Sequence, residues 1–455
     1  MDRRRFMMSL AAAAATPALA VQDRAPDPRF GPLRADPDAI FDLPDGFHYE
    51  IVSRAGTEMS DGLRVPHAHD GMAAFPGDGG RVILVCNHEL ATHQFDQSAF
   101  APSFDAVPQA IRDRLYDRGD DKTPCNGATT TTIWNSQTRT TERQYLSLAG
   151  TELNCSGGRT PWGSWLSCEE CFTWEGIGFG GARILHRDRP HGYVFEVPSR
   201  HDGLVDPVPL HALGRFEHEA AAVHEASGVV YLTEDKHYSL LYRFLPDVPG
   251  RLAEGGRLQA LAIEGRPSLE THNWSHRPAI RPGQSLPVRW VDLDDVDGAA
   301  NDLRKRGAAL GAATFARGEG LTAAGDDIVF TCTIGGRFRL GQVFAYRTSP
   351  HEGAPGATDA TGRLTLIAES APESILHNAD NLTMAPWGDL IVCEDTADHC
   401  GLVGIRPDGS LYELADNAYS GSELSGVCFS PDGKTMFVNI QYPGTTLAIT
   451  GPFPA

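Results

Sequence analysis

The stretch of this chain best suited to hold a metal runs Asn154-Cys155-Ser156-Gly157-Gly158, then Pro161-Trp162-Gly163-Ser164-Trp165-Leu166-Ser167-Cys168-Glu169-Glu170. A thiolate suits iron or another transition metal, and carboxylates suit harder cations. With Cys155 at the head of one strand and the paired glutamates at the tail of the next, both donor types can face one space. Adjacent strand residues point to opposite faces, so only one of Glu169 and Glu170 can do so, and the sequence leaves that choice open. A lone cysteine is otherwise a small buried hydrophobe, and the two tryptophans read as packing residues. Cys168 and Cys171 have the spacing of a zinc or redox pair, but no second pair at ligand spacing accompanies them. Of the 17 histidines, His67, His69, His88 and His218 lie nearest the site motifs and read as surface or supporting groups. His218 is placed to orient the carboxylate of Glu219. No GxSxG elbow and no Walker loop occur, so serine-nucleophile and P-loop chemistries lack support.

These residues sit in a repeat. Short alternating apolar runs, broken by Gly, Pro, Asn and Asp, are the pattern of strands and turns. Each unit has a polar or acidic residue, a short strand, a glycine-containing turn and a second β-rich run ending on another polar residue. Six units are read, from Asp70 to Asn87, Asn154 to Glu169, Glu219 to Glu234, Glu319 to Thr333, Asp380 to Glu394, and Glu423 to Asn439. Repeated hairpins with outer strands are how propeller blades are built, so the expected fold is all-β, a six-bladed β-propeller with inserted loops and short helices. Helical periodicity is confined to Pro108–Tyr116 and Asp294–Gly307, and the long connections Thr92–Thr123 and Leu252–Arg317 read as insertions over one face. In a propeller the heads of the first strands gather at one channel mouth. Carboxylates gathered there repel or take up protons unless cations neutralise them, so metal binding is expected. The plainer reading is a solvated rim of strand ends.

The formal charge of −20 argues against nucleic acid and anionic membranes as partners. Arg3-Arg4-Arg5-Phe6, an apolar run from Met7 to Ala15 and Ala18-Leu19-Ala20 form an export signal of the twin-arginine type, too short to span a bilayer. Residues 1–20 are therefore expected to be removed, leaving 21–455 as a single propeller domain with its metal site in the central channel. Nine cysteines cannot all pair.

Several motifs together resemble the PhoX-type alkaline phosphatases: Gly71 to Phe75 with Asn87-His88-Glu89, Cys155 to Glu170, Arg215-Phe216-Glu217-His218-Glu219, Arg317-Gly318-Glu319-Gly320, and Asp380-Asn381-Leu382. The resemblance spans nearly the whole mature chain. It implies a periplasmic or secreted phosphatase that hydrolyses phosphate monoesters with two Fe3+ and several Ca2+ ions, in the service of phosphate acquisition. It further implies that Cys155 is the iron thiolate, that Glu169 or Glu170, Glu219, Glu319 and Asp380 are carboxylates of the cluster, and that Asp235 is a calcium ligand. Arg317 takes the place of the phosphate-binding arginine, with Asn87 approaching substrate or cluster. Such chemistry needs no protein nucleophile, because cations stabilise the charge on the transferring group and activate water. The expected partners are a small phosphoester and the twin-arginine export machinery, with no nucleic acid and no stable membrane insertion, and the chain is expected to be a monomer. A calcium-dependent lactonase or esterase propeller, or a propeller that only binds a ligand, are the alternatives; neither requires Cys155.

Overall fold

The structure is a computed structural model that describes residues 27–180, 183–298, 300–354 and 362–454; the export signal lies outside them. Every repeat read from the sequence folds as an antiparallel hairpin. The inner and second strands are His69–Pro76 with Arg81–His88, Asn154–Arg159 with Ser164–Glu169, and His218–Val223 with Val230–Glu234. The others are Gly318–Ala324 with Asp327–Cys332, Ala379–Met384 with Leu390–Glu394, and Leu424–Phe429 with Thr435–Ile440. Each inner strand packs beside the inner strand of the next repeat, and Leu424–Phe429 returns to His69–Pro76, so the ring closes on itself. The fold is an all-β propeller.

The ring is tight because glycine lets its strands approach. A Cβ on Gly71 would come within 2.5 Å of the Ser156 backbone, and one on Gly158 within 2.0 Å of the Ala221 carbonyl. The space left inside is a channel of about 610 Å³, lined among others by Met72, Ser156, Ala222, Leu321, Asn381 and Val427. Between neighbouring sheets the alternating apolar faces meet in cores such as Phe315, Phe330 and Phe344, whose rings lie 5.2–5.4 Å apart. Burying each such side chain stabilises the fold by about 1.5–3 kcal/mol.

The outer strands depart from six equal blades. The Glu219 and Glu319 hairpins share one nine-stranded sheet, because Ser285–Asp292 pairs with both Gly256–Ile263 and Arg363–Glu369. The insertion after Leu252 thus supplies a β link between two hairpins, where the sequence suggested only a covering loop. The Asp380 hairpin lies in a six-stranded sheet extended by Phe41–Pro44 and Leu33–Arg34, and the Cys155 hairpin in a sheet of three. The sheet of the Glu423 hairpin is completed from the other end of the chain, with His48–Arg54 pairing along Thr445–Thr450. The expected helices are shorter than their patterns: Pro108–Tyr116 yields Gln109–Arg112, and Asp294–Gly307 yields Leu303–Ala309. No helix among the described residues is long and apolar enough to cross a membrane.

Candidate metal centre

All six inner strands carry a β-bulge. In five of them the bulge falls directly after the first strand residue and consists of Asp70–Gly71, Cys155–Ser156, Glu219–Ala220, Glu319–Gly320 and Asp380–Asn381. In the sixth it falls one residue later, at Gly426–Val427. A bulge re-aims consecutive side chains. Ser156, Gly320, Asn381 and Gly426 line the channel, while Asp70, Cys155, Glu219, Glu319 and Asp380 gather at its mouth.

A second ring follows from the same repeat. Glu89, Glu170, Asp235, Thr333, Asp395 and Gln441 each stand one residue beyond the second strand. Each donates its backbone N–H, at 2.9–3.3 Å, to the residue just before the inner strand: Ala68, Leu153, Glu217, Arg317, Asn378 and Glu423. Four of those preceding residues, Ala68, Leu153, Arg317 and Asn378, hold left-handed backbone at φ 46° to 55°. Such strain persists only where the surroundings impose it, and it clusters at functional sites.

The two rings bring donor atoms within 4.8 Å of one another in three linked groups: Asp70, Glu89 and Cys155; Cys155, Glu170 and Glu219; Glu219, Glu319 and Asp380. Cys155 and Glu219 each belong to two groups, so the donors form one continuous array. With Asp235, Asp395 and Glu423, nine carboxyl groups face one another electrostatically across the mouth. Burial, followed by their mutual repulsion, pushes Asp70, Glu170, Glu219, Glu319 and Glu423 well above the usual carboxyl range. Glu89 and Asp380 are pushed up to about 7, chiefly by burial. Burial and the nearby Asp70 likewise raise the Cys155 thiol. Glu219 Oε1 is buried without a hydrogen-bond partner among the described residues. An orphaned carboxylate oxygen between a thiol and further carboxylates is a donor set that fits a cluster of hard and borderline cations.

Arg317 supplies the positive side chain of this mouth. Its Nε and Nη2 donate to the two oxygens of Asp235 at 2.6 and 2.5 Å, and Nη2 lies 3.3 Å from Glu319 Oε1. Its side chain remains 32% exposed, so the guanidinium is reachable from solvent while carboxylates hold its orientation.

Three sequence expectations are corrected by position. Asn87 is fully buried and its amide is spent between blades: Nδ2 donates to the Cys155 and Ser156 carbonyls, and Oδ1 accepts from Trp165 Nε1 and Ser167 Oγ. It positions the Cys155 bulge and has no group left for a substrate. Glu169 points away from Cys155; it accepts from Glu152, Gly192 and Tyr193 N–H and lies 2.7 Å from His191 Nδ1. His191 in turn meets Asp117, inside the Thr92–Thr123 connection, and Cys125 just beyond it, a buried network that ties that connection to the sheet. The open choice thus falls to Glu170. His218 does not orient Glu219, because its ring stacks on Phe216 and Nε2 donates to the Gly214 carbonyl. The sequence reading named none of Asp70, Glu89, Asp395 and Glu423 as an individual ligand, although Asp70 and Glu423 head two of its repeats.

Comparison with known proteins agrees with the fold. The structure of Pseudomonas fluorescens PhoX in complex with vanadate, a transition state analogue, superposes with a TM-score of 0.68 at 18% identity, over 94% of this chain and 98% of that one. A gluconolactonase from Xanthomonas campestris aligns over 93% of this chain and 98% of its own at 12% identity, but its TM-score of 0.41 is too low to carry an argument. No curated protein matches the sequence. The family profile described as alkaline phosphatase PhoX matches residues 28–444. This chain is therefore a member of the PhoX alkaline phosphatase family, a metal-dependent phosphatase.

Proposed function

We propose that the protein releases inorganic phosphate from phosphate monoesters at the channel mouth, using iron and calcium. The observation that carries this reading is the imbalance of charge: among the described residues, nine carboxyl groups and a thiol face the Arg317 side chain. Several polyvalent cations are needed to hold those groups ionised together. Cys155, with Glu170 and Glu219, suits iron; Asp70, Glu89, Glu319, Asp380 and Asp235, all oxygen donors, suit calcium. Bound there, such ions would supply Lewis acidity and an activated water.

The chain's own contribution is placement. Arg317, planar and permanently charged, is suited to grip two phosphate oxygens at once, and Asp235 and Glu319 hold it ready at the mouth. The inner-strand bulges hold the donor groups fixed against their mutual repulsion. A calcium-only lactonase has no use for a thiol in the middle of the array, which favours the phosphatase reading. The six hairpins, with the nine-stranded sheet counted as two blades, support a six-bladed reading of one domain over residues 21–455. We further propose export by the twin-arginine route to the periplasm or beyond, as a monomer.

The test is elemental analysis of protein purified from its native export route, paired with a chromogenic phosphomonoester assay. Iron and calcium with phosphate release are expected. Calcium alone, with no phosphatase turnover, would overturn the proposal.

A further inference from the structure

Outside the array at the mouth, Asp117, Cys125 and His191 bring one donor atom each within 4.8 Å of the others. The phosphatase chemistry uses none of them. All three side chains are buried, and they come from separate parts of the chain: Asp117 from the turn ahead of Gly119–Lys122, Cys125 from just before the strand Gly127–Asn135, and His191 from beyond the strand Arg183–Arg187. His191 Nε2 lies 3.1 Å from Asp117 Oδ2 and 3.5 Å from Cys125 Sγ. That nitrogen carries at most one proton, so hydrogen bonding at Nε2 matches one of these neighbours and leaves the other. A cation between them matches both. Around a tetrahedral zinc ion, bonds of about 2.1 Å to nitrogen or oxygen and about 2.3 Å to sulfur set the donor atoms roughly 3.3 to 3.5 Å apart.

The donors are also held from behind. Glu169 Oε1 lies 2.7 Å from His191 Nδ1, which draws the ring proton to that nitrogen and leaves the Nε2 lone pair turned toward Asp117 and Cys125. A carboxylate behind the far nitrogen is the usual support of a metal-bound imidazole. Glu169 is itself fixed by the backbone N–H groups of Glu152, Gly192 and Tyr193. Asp117 is aimed in the same way: Oδ1 accepts from Gly119 N–H, and Oδ2 from Asp188 and Arg189 N–H. Thr92 Oγ1 stands 3.2 Å from the Cys125 sulfur.

We propose that Asp117, Cys125 and His191 bind a zinc ion in a closed structural site, separate from the iron and calcium of the mouth. A mixed set of sulfur, nitrogen and oxygen donors suits zinc, whereas calcium takes oxygen alone. Cys171, an electrostatic neighbour of both Cys125 and His191, is a spare thiol for the remaining place of the tetrahedron. The ion fastens the Thr92–Thr123 connection to the blade of Cys155 through Glu169, whose chain neighbour Glu170 belongs to the array. An insertion is thereby tied to the placement of a ligand at the mouth.

The test is elemental analysis of the protein and its variants, purified from the native export route with zinc in the medium. Wild type is expected to carry about one zinc per chain beside its iron and calcium, since a closed site of this kind holds a single ion. Cys125→Ser and Asp117→Asn should lose the zinc and keep the iron, while Cys155→Ser should keep the zinc. A wild type without zinc, zinc retained in both Cys125→Ser and Asp117→Asn, or zinc lost in Cys155→Ser would each overturn the site. Should the Cys125 and Asp117 variants fail to fold, cobalt decides. Cys155→Ser protein produced in cobalt medium lacks the thiol of the mouth, so a sulfur-to-cobalt charge-transfer band in its near-ultraviolet spectrum supports Cys125 as a ligand, and the absence of that band refutes it.

Discussion

Cys155 stands in two of the three donor groups at the mouth, so its chemistry is the sharpest probe of the centre. Serine is close in size but keeps its proton near neutral pH and binds iron poorly. Cys155→Ser is expected to lose iron and at least about a hundredfold in activity, more than is usual for a supporting residue, while remaining folded. Cys86→Ser, at a buried thiol outside those groups, should keep its metal and cost about 1–3 kcal/mol for a poorly paired hydroxyl. Iron content and denaturant midpoints distinguish the two outcomes. Arg317→Lys keeps the charge but loses the planar fork, and kcat/KM is expected to fall on the order of 10²- to 10³-fold with metal content unchanged. At this scale much was legible: Cys155, Glu219, Glu319, Asp380 and Arg317 stand where their motifs suggested. The misassigned residues, Asn87 and Glu169, each lie next in chain or strand to residues of the site, and a strand turns neighbours to opposite faces.

The element that makes the site is the bulged inner strand, and nothing in residue types announces a bulge. An unbulged strand would alternate strictly, and an offset of one residue moves a side chain to the opposite face. Asp70 was visible only as the first residue of a repeat. Glu423, like Asp70, was visible only as the head of its repeat, and Glu89 and Asp395 fell just outside the units, although an acid recurring one position past the second strand, at Glu89, Glu170, Asp235 and Asp395, was a readable signal. Polar groups of the second strands hold the bulges by bonding the backbone of the neighbouring one: Asn87 to the Cys155 carbonyl, Thr233 to Glu319, Thr331 to Asp380. Asn87→Ala would strand the Trp165 and Ser167 donors as well. A loss of about 3 kcal/mol or more is expected in urea unfolding, with KM little changed because the amide has no free group for substrate. A large rise in KM with unaltered stability would return Asn87 to the substrate.

For the whole molecule the carboxyl array couples metal, protons and stability. In the metal-free protein Asp70, Glu170, Glu219, Glu319 and Glu423 bind protons more tightly folded than unfolded, as do Glu89 and Asp380, both near pH 7. Between about pH 4 and 7 the folded form then holds more protons, so stability falls as pH rises. Thermal melts of chelated protein should therefore show Tm decreasing across that window, and calcium should restore most of the loss at pH 8. A Tm that rises with pH in the chelated protein would contradict the crowding argument. Calcium should also restore phosphatase activity after chelation where magnesium does not, because magnesium demands a smaller, regular octahedron. Replacing Arg3 and Arg4 with Lys is expected to leave the precursor inside the cell, as fractionation would register. The propeller was legible from hairpin spacing, whereas the unequal sheets were not, since pairing of outer strands depends on partners remote in sequence.

The pairing of His48–Arg54 with Thr445–Thr450 also imposes an order of events in time. At roughly 5–20 residues per second, synthesis takes on the order of 20–90 s, and for nearly all of it the first strand waits without its partner. The carboxyl array, spread from Asp70 to Glu423, is scattered over the same interval. A nascent chain thus has no finished pocket to fill, and the array is complete only after the ribosome has delivered the last blade. A pathway that threads unfolded chains would therefore carry this sequence with its donor groups still apart, leaving the metals to be gathered after transport.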